Sequence, residues 1–274
     1  MKECSYSISD DLQYDIEEIH LAACKAKKSH YVDPKSKLMV FTSFYLSKRK
    51  CCGCGCRHCP YKPRYFPHQP SRLLNGNFDD LPDSVDILFW SGGKDSYLAF
   101  RALQRAAVRP VILLTTFDAA SGIVAHQEVS IDDIIRQAKS VNVPLLGVPI
   151  AGGAYVRLVS AGLDRLRDHG INIVRVAFGD LHLRHVRNWR ETELHSLKAE
   201  LFYPVWGVKY ESLMQELEEA NVTIRISAVD HDNPSLRHVK IGDNFGPGFV
   251  EKLPHQVDPF GENGEFHTLV ELWR

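Results

Sequence analysis

The segment SGGKDS, residues 91–96, places hydroxyl, ammonium and carboxylate groups directly after a pair of glycines. The run before it, residues 85–90, is apolar and rich in β-preferring side chains, whereas residues 97–100 are typical of the first turn of a helix. A strand, a tight turn and a helix N-terminus together bind phosphate, because unpaired N–H groups and the helix dipole favour an anion there. Lys94 adds a full positive charge to this turn.

The glycines and the spacing of the turn define its type. Gly92 and Gly93 allow a tight bend and a close approach of backbone amides to phosphate oxygens, while Ser91 and Ser96 add hydroxyl donors. The spacing differs from the Walker loop, which has four residues between its first glycine and GK[ST]. The alternative is a strand-to-helix turn with a solvated lysine, but the density of the pattern favours a phosphate site.

Two motifs far apart in the chain carry a family resemblance. SGGKDS resembles the pyrophosphate loop of the N-type ATP pyrophosphatases, the superfamily that includes asparagine synthetase, GMP synthetase and tRNA thiolases. DPFGENGEFHTLV, residues 258–270, is similar to the C-terminal signature of the diphthine–ammonia ligase family. GDLHLRHVRNWRE (179–191) and YPVWG (203–207) follow the order of that family's intervening motifs. The resemblance covers about residues 84–274 and implies ATP and Mg²⁺ as substrate and cofactor.

Strand and helix patterns alternate from residue 85 onward. Strands are expected at 85–90, 111–117, 144–150 and 173–178, with helices at 95–107, 131–141 and 154–169. This alternation predicts an α/β fold whose parallel sheet is covered by helices on both faces. The resemblance implies an adenine nucleotide alpha hydrolase-like (HUP) version of a Rossmann-like fold.

Composition divides the chain into three expected domains. Residues 1–82 form an N-terminal basic, Cys-rich module with a linker rich in Pro, Asn, Gly and Asp at 67–84. The ATP-binding domain is expected at 83–200, and a smaller α+β substrate-binding domain at 201–274. A helix at 209–220 and a strand at 222–229 are expected in this last part.

In parallel sheets ligands bind beyond the carboxyl ends of the strands, which brings Ser91–Ser96, Thr116–Asp118 and Gly179–Asp180 to one edge. Asp95 and Asp180 are the candidate Mg²⁺ ligands, since Mg²⁺ prefers carboxylate and phosphate oxygens. The alternative for Asp95 is an acid that complements the helix dipole. The resemblance implies that Thr116 and Asp118 receive the adenosine, and a local turn-capping role for Asp118 is equally open.

The GENGEFHT loop is the second dense group of polar side chains. It contains Gly261, Glu262, Asn263, Glu265, His267 and Thr268. A hairpin turn with solvated side chains is the alternative on composition alone. The resemblance implies that the loop binds the acceptor, with Glu262 and Glu265 binding an amine or acting as a base. His267 is expected to transfer protons near neutral pH.

Two departures from the family pattern concern the acceptor. Phe260 stands where relatives commonly have cysteine, which excludes a catalytic thiol there. Arg184 and His185 stand where many relatives have acidic residues, and a cationic pair suits an anionic substrate. We therefore count Asp180 and Arg184 among the substrate-binding candidates. His182 and His185 are expected on one helix at i, i+3, where a solvated face is favoured over a shared metal.

All seven cysteines precede residue 60, in a region where residues 25–72 carry twelve Lys or Arg against one acid, Asp33. KRKCCGCGCRHCPYKPRY (48–65) resembles short Cys-rich domains of unknown function with a CCGxGCxxCPY pattern. Zn²⁺ or an iron–sulfur cluster would bind through the four cysteines that fit this pattern, Cys51, Cys52, Cys56 and Cys59. A purely structural zinc knuckle is the alternative. Interleaved cations and aromatic rings also predict RNA contact through residues 25–72.

These patterns lead to two enzyme hypotheses. The first is an ATP-dependent ligase that adenylates a substrate carboxylate, releases pyrophosphate and amidates the acyl-adenylate with ammonia. The second keeps the adenylation but modifies RNA, as a tRNA thiolase does, with the N-terminal module holding RNA or a cluster. We expect a cytoplasmic protein without a membrane span, because the N-terminus is acidic and lacks an apolar targeting core. A homodimer is one oligomeric state open to it.

Overall fold

Helices and strands alternate along most of the chain. The computed structural model describes residues 10–48, 56–61, 70–150 and 155–273. In these ranges the elements are α1 (Asp10–Lys25), β1 (His30–Val32), β2 (Met39–Phe41), α2 (Ser43–Leu46), β3 (Arg72–Asn75), β4 (Ser84–Phe89), α3 (Lys94–Ala106), β5 (Val111–Asp118), β6 (Ile123–Val124), β7 (Val129–Ser130), α4 (Ile131–Ser140), β8 (Leu145–Ile150), α5 (Tyr155–Asp168), β9 (Asn172–Ala177), α6 (Arg184–Glu193), β10 (Glu200–Phe202), α7 (Tyr210–Ala220), β11 (Thr223–Val229), α8 (Pro247–Val250) and β12 (Phe266–Glu271). None of the described helices has the length and apolar character of a membrane span.

Six of these strands form a central, mostly parallel sheet. Their spatial order is β10, β9, β4, β5, β8, β3. All neighbours run parallel except β3, which pairs antiparallel with β8. The four strands expected from the apolar runs are confirmed, and the sheet with its helices is consistent with a Rossmann-like α/β core.

Both faces of the sheet are buried, as the near-continuous apolar strands predict. Side chains of β4 and β5 such as Val85, Leu88 and Ile112 are fully buried. One face packs against α3, α4, α7 and the two-stranded sheet formed by β11 and β12. The other face packs mainly against α5 and the segment around Leu197. The carboxyl ends of β4, β5 and β9 therefore remain the edge at which loops gather.

The expected domain boundaries divide this sheet and need correction. Residues 72–75, inside the stretch expected to be a linker, form the edge strand β3 and pair with β8. The expected boundary at 200/201 falls within β10, which pairs with β9. Because tertiary pairing stabilises both short strands, their local composition gave no signal for them.

The two-stranded C-terminal sheet shares a core with the central sheet. Strands β11 and β12 pair antiparallel, with a bulge between Ile226 and Ala228. Ile226, Phe266 and Val270 are buried in the same apolar cluster as Leu88 and Leu98. The expected helix and strand after residue 200 are confirmed, and they pack against the central sheet and its helices.

The described part of the N-terminal module contacts the C-terminal segments. The Ser29 N–H donates to an Asp232 carboxylate oxygen. The Phe41 ring stacks on His126, with ring centroids 5.7 Å apart. Met39 lies so close to Gly264 that a Cβ atom at the glycine would be 2.5 Å from the Met39 methyl carbon. Strand β2 therefore packs directly on the GENGEFHT loop.

Candidate functional site

The glycine turn joins β4 to α3 at the carboxyl end of a central strand. Gly92 has φ of +82°, and a Cβ atom there would lie 2.5 Å from Ile134 Cδ1 and 2.7 Å from Gln137 Oε1. Conformation and space therefore both require glycine at this position. Gly93 is the N-cap residue of α3. The expected strand–turn–helix arrangement at residues 91–96 is present.

Strand β12 binds this turn directly. Thr268 Oγ1 accepts a hydrogen bond of 3.1 Å from the Lys94 N–H, and the Val270 N–H donates to Gly92 O at 2.9 Å. Gln137 Nε2 donates to Gly92 O at 2.9 Å and to Val270 O at 2.7 Å. The N–H groups of Asp95 and Ser96 lie in the first turn of α3, where the helix itself provides no hydrogen-bond acceptor. The two motifs of the sequence thus form one structural unit.

A cavity of about 430 Å³, here called the smaller cavity, opens above the turn. The predicted site residues at its wall are Ser91, Lys94, Asp95, Ser96, Thr116, Asp180, Gly261, Glu262, His267 and Thr268. They come from the ends of β4, β5 and β9 and from the C-terminal loop. The strand-end rule therefore places most of the candidate residues correctly.

Lys94 holds its charge inside this cavity. Its side chain is 3% exposed, and Nζ lies 2.9 Å from Asp95 Oδ2. Nζ also lies 5.3 Å from the centre of the Phe260 ring, and the rings of Phe245 and Phe266 are within 5.8 Å. Phe260 therefore contributes a ring face near the ammonium group. A buried cation with one carboxylate partner attracts further negative charge.

The carboxylates around Lys94 provide oxygen ligands for a divalent cation. Asp95 Oδ1 is buried and has no hydrogen-bond partner in the described residues. Burial raises the pKa of Asp95, Lys94 opposes this rise, and Asp180 and Asp258 add to it. A buried carboxylate oxygen without a partner, beside other acids, fits a Mg²⁺ ion, which takes carboxylate and phosphate oxygens.

Asp180 has a different partner from the one expected. Arg190 donates to both of its oxygens, from Nε at 2.5 Å and from Nη2 at 3.0 Å. A Mg²⁺ ion would therefore have to compete with this pair at Asp180, whereas Asp95 Oδ1 is available. Gly179 precedes it, and a Cβ there would lie 2.6 Å from Asp95 O. Glycine at this position lets the end of β9 approach the start of α3.

Arg190, and not the expected Arg184, is the arginine of α6 that lines the cavities. Arg190, on α6, lines the smaller cavity, but its motif RNWRE gave no indication of which arginine faces inward. Arg184, the substrate-binding candidate, is exposed and lines neither of the cavities described here. His182 precedes α6 and hydrogen-bonds Tyr210, so the expected helical pair with His185 is wrong.

Glu262 and His267 both have strongly shifted pKa values. Burial, followed by the charge of Asp95, raises the pKa of Glu262 to about 8. Burial, followed by the nearby His126 and Lys94, lowers the pKa of His267 to about 3. His267 is therefore a neutral imidazole near pH 7, which corrects the expectation that it cycles between two charge states there.

Glu265 has a different place from Glu262. Its side chain is buried, and Oε1 accepts from the Asp258 N–H at 3.0 Å and from Asn263 Nδ2 at 3.1 Å. Oε2 accepts from the Asn263 N–H at 2.9 Å. Glu265 lines neither cavity, so the expectation of a catalytic or acceptor-binding role is corrected to one of holding the loop.

Asp118 supports a turn at the end of β5. Its Oδ1 accepts from Ala120 N at 3.2 Å, and from both Ser121 N and Ser121 Oγ at 2.6 Å. These bonds are those of the turn-capping alternative. The residue also lines a second cavity, but not the smaller one above the glycine turn, and its expected contact with the adenosine stays a prediction.

This second, larger cavity has a volume of about 1070 Å³. It shares with the smaller cavity a wall formed by Thr116, Ala125, His126, Tyr155, Leu183, Val186, Arg190, Glu262 and His267. Asn263 of the C-terminal loop and His185 of α6 line it as well. Residues of the N-terminal module complete its lining, which the sequence did not predict.

Residues that the sequence did not single out also line the site. Gln127 Oε1 is buried without a hydrogen-bond partner in the described chain and lies at the wall of the smaller cavity. Trp189 lines the larger cavity. Both belong to loops or helices without a strand-end signal, and only the tertiary fold brings them to the site.

The cysteine cluster lies mostly outside the described residues, because Cys51 and Cys52 are not among them. Cys56 and Cys59 are partly buried. Two other groups bring potential metal-ligating atoms within 4.8 Å of one another: Glu17, His20 and His58, and His30, Asp230 and Asp232. The first lies within the N-terminal module, and the second joins this module to the segment after β11.

A comparison with known families concerns the N-terminal module. Residues 19–65 match a family of unknown function, DUF5522. This range covers α1 in part, β1, β2, α2 and the cysteine cluster. The match concerns the N-terminal module and brings no activity with it.

Proposed function

We propose that the protein is an ATP-dependent ligase of the N-type ATP pyrophosphatase class, similar to diphthine–ammonia ligase, with an adenine nucleotide alpha hydrolase-like core. One observation carries the proposal: the SGGKDS turn and the C-terminal GENGEFHT loop meet at one cavity, joined by the Thr268–Lys94 hydrogen bond. A phosphate-binding turn at the carboxyl end of a parallel strand is where such a fold binds a nucleotide.

The residues of the turn would hold the departing pyrophosphate. The amides of Asp95 and Ser96, the Ser91 hydroxyl and the Lys94 ammonium offer donors to its oxygens, whereas the Ser96 hydroxyl donates to Gly93 O at 2.9 Å and supports the turn. Asp95 would hold Mg²⁺, whose chemistry is to neutralise charge on the phosphates. Lys94 gains most when negative charge grows on the leaving group, so it stabilises the transition state more than the bound substrate.

The acceptor carboxylate would attack the α-phosphorus of ATP. A bond forms between its oxygen and phosphorus, and the bond from phosphorus to the pyrophosphate oxygen breaks. The nitrogen of ammonia then attacks the acyl carbon, and AMP leaves. Glu262, whose pKa burial raises to about 8, would take a proton from the attacking nitrogen in its ionised form, which becomes the main form above about pH 8. Neutral His267 is placed to accept or donate a hydrogen bond beside it.

The products of ATP cleavage test this proposal. Purified protein incubated with MgATP, ammonium and cell extract should yield AMP and pyrophosphate, and mass spectrometry should find an amide on the acceptor. Lys94→Ala should lower kcat by about 10²–10³-fold. Lys139→Ala, an exposed lysine at the end of α4, is the matched control and should leave the rate unchanged. Formation of ADP and inorganic phosphate would contradict the proposal.

A second candidate is an ATP-dependent RNA-modifying enzyme, and the position of the N-terminal module favours it. Lys37 of this basic module lines the larger cavity beside the proposed nucleotide site. RNA that co-purifies and is released by salt would support this candidate. A brown protein absorbing near about 400 nm would indicate an iron–sulfur cluster.

A further inference from the structure

The larger cavity has a wall that the ATP-binding core does not supply. His30, Val32, Lys37, Leu38 and Met39 of the N-terminal module line it. Val32 is 57% exposed although it is apolar. An apolar side chain on a cavity wall loses water when a ligand with an apolar surface binds there.

Contacts on two sides of this wall fix it to the rest of the protein. Strand β1 follows Ser29, whose N–H donates to Asp232, and β2 packs through Met39 and Phe41 on Gly264 and His126. The module therefore lies against the C-terminal loop that the proposed reaction uses. Its wall has a defined position relative to Glu262 and His267.

The lining combines apolar side chains with three cations, Lys37, Arg157 and Arg190, of which Arg190 is paired with Asp180. Leu38, Ile150, Val156 and Trp189 are among the apolar residues of the larger cavity. Lys37 and Arg157 are exposed and line this cavity, but they do not line the smaller one. Both cations therefore lie away from the shared wall at which Glu262 and His267 stand.

Among the described residues, the acidic side chains that line the same cavity are Asp118 and Glu262. Asp118 accepts three hydrogen bonds from Ala120 and Ser121 in its own turn. Glu262 lies at the shared wall with the smaller cavity. Lys37 and Arg157 thus give the larger cavity positive charge outside the shared wall, which is complementary to a negative charge on a ligand.

We propose that the N-terminal module forms the outer wall of the acceptor site, and that the acceptor is an apolar-bodied molecule with two acid groups. The reacting carboxylate lies at the shared wall beside Glu262. The second acid lies between Lys37 and Arg157, with the apolar body along Leu38 and Trp189. This inference rests on the proposed ligase function, because that function supplies the reacting carboxylate.

Binding measurements on the full chain test the inference with two probes, naphthalene-2,6-dicarboxylate and 2-naphthoate. Saturating α,β-methylene-ATP with Mg²⁺ first occupies the nucleotide site, and calorimetry then gives the Kd of each probe. The diacid should bind about five- to tenfold tighter than the monoacid, since each exposed ion pair contributes a factor of about two to five.

The variant pair Lys37→Gln and Arg157→Gln, combined, should remove the advantage of the diacid and leave 2-naphthoate binding nearly unchanged. Lys35→Gln is the matched control, since Lys35 is exposed in the same module and lines neither cavity. Lys37→Arg should retain the advantage. Equal binding of the two probes to the unaltered protein, or an advantage that persists in the double variant, would overturn the inference.

The measurements with α,β-methylene-ATP distinguish a failure of this inference from a failure of the proposed function. If α,β-methylene-ATP does not bind, the ligase proposal fails, and the diacid comparison is still measured without nucleotide. If the nucleotide binds and displaces the diacid, the larger cavity belongs to the nucleotide and the inference is wrong. Displacement of the diacid by a short single-stranded RNA, with no such effect of mononucleotides, would also overturn it, in favour of RNA as the acceptor.

Discussion

Two glutamates three positions apart in one loop have opposite environments. Glu262 faces both cavities and has a pKa near 8, whereas Glu265 accepts hydrogen bonds from the loop backbone. The sequence treats them alike because both stand in GENGE. The conformation of the loop decides which of the two carboxylates accepts hydrogen bonds from the backbone. The spacing of the two residues in the sequence does not determine this conformation.

The raised pKa of Glu262 gives a dependence of stability on pH. The unfolded chain loses this proton near 4.5, whereas the folded chain keeps it up to about 8. The folded state therefore binds more protons between these values, and the free energy of unfolding falls as pH rises through that window. Glu262→Gln removes this pH-dependent loss of stability, so the Tm of the variant relative to the unaltered protein should increase between about pH 5 and about pH 8. Thermal melts without metal or nucleotide measure it, and a pH-independent difference would contradict the assigned environment.

Glu265→Gln should instead destabilise the fold at all pH values where the carboxylate is charged. An amide in this place would turn a donor towards the N–H groups of Asp258 and Asn263. The free energy of unfolding should fall by about 1–3 kcal/mol, measured by urea denaturation. Glu271→Gln is the control, because its pair with Arg225 is partly exposed and is expected to contribute about 0–1 kcal/mol. Unchanged stability with lost activity would return Glu265 to the catalytic group.

At the scale of elements, the apolar runs predicted the main strands and helices to within one or two residues. β4, β5, β8 and β9 are buried on both faces, and this burial is what makes their sequences continuously apolar. The hydrogen bonds from β12 to the glycine turn could not be predicted, since their partners are about 170 residues apart and neither segment marks the contact. The resemblance placed both motifs at one site, but not their bonding.

Thr268→Val tests whether β12 fixes the glycine turn. Valine has nearly the same shape but cannot accept the Lys94 N–H, so a buried donor loses its partner. The free energy of unfolding should fall by about 1–3 kcal/mol, and the affinity for ATP should fall with it because the turn is less ordered. The control is Thr223→Val, the same change at an exposed position of β11, which should alter stability by less than about 0.5 kcal/mol. Equal effects of the two variants would contradict a specific role of the hydroxyl.

At the scale of the whole molecule, the parts are less separable than composition indicates. The composition of the stretch rich in Pro, Asn, Gly and Asp is typical of a linker. Residues 72–75 within it nevertheless form an edge strand, because they pair antiparallel with β8. Charge and cysteine content change sharply near this stretch, but neither property predicts which residues pair in a sheet. The N-terminal module likewise looks independent in sequence and contributes a cavity wall in the fold.

Two fragments distinguish these views of the molecule. Residues 70–274 keep β3, whose Leu74 packs over Gly147 and whose Asn75 Nδ2 donates to Val143 O at 2.8 Å. This fragment should be soluble and melt cooperatively.

Residues 83–274 lose the strand and expose the edge of β8, where Leu145 and Leu146 are fully buried in the intact chain. An exposed apolar edge strand promotes aggregation, and the loss of packing should lower Tm by more than about 4 °C, which for a chain of this size is above about 1 kcal/mol. Calorimetry and size-exclusion chromatography of both fragments measure these effects. If residues 83–274 remain monomeric and melt at the same temperature as residues 70–274, β3 contributes nothing to the core, and the original boundary at residue 83 is correct.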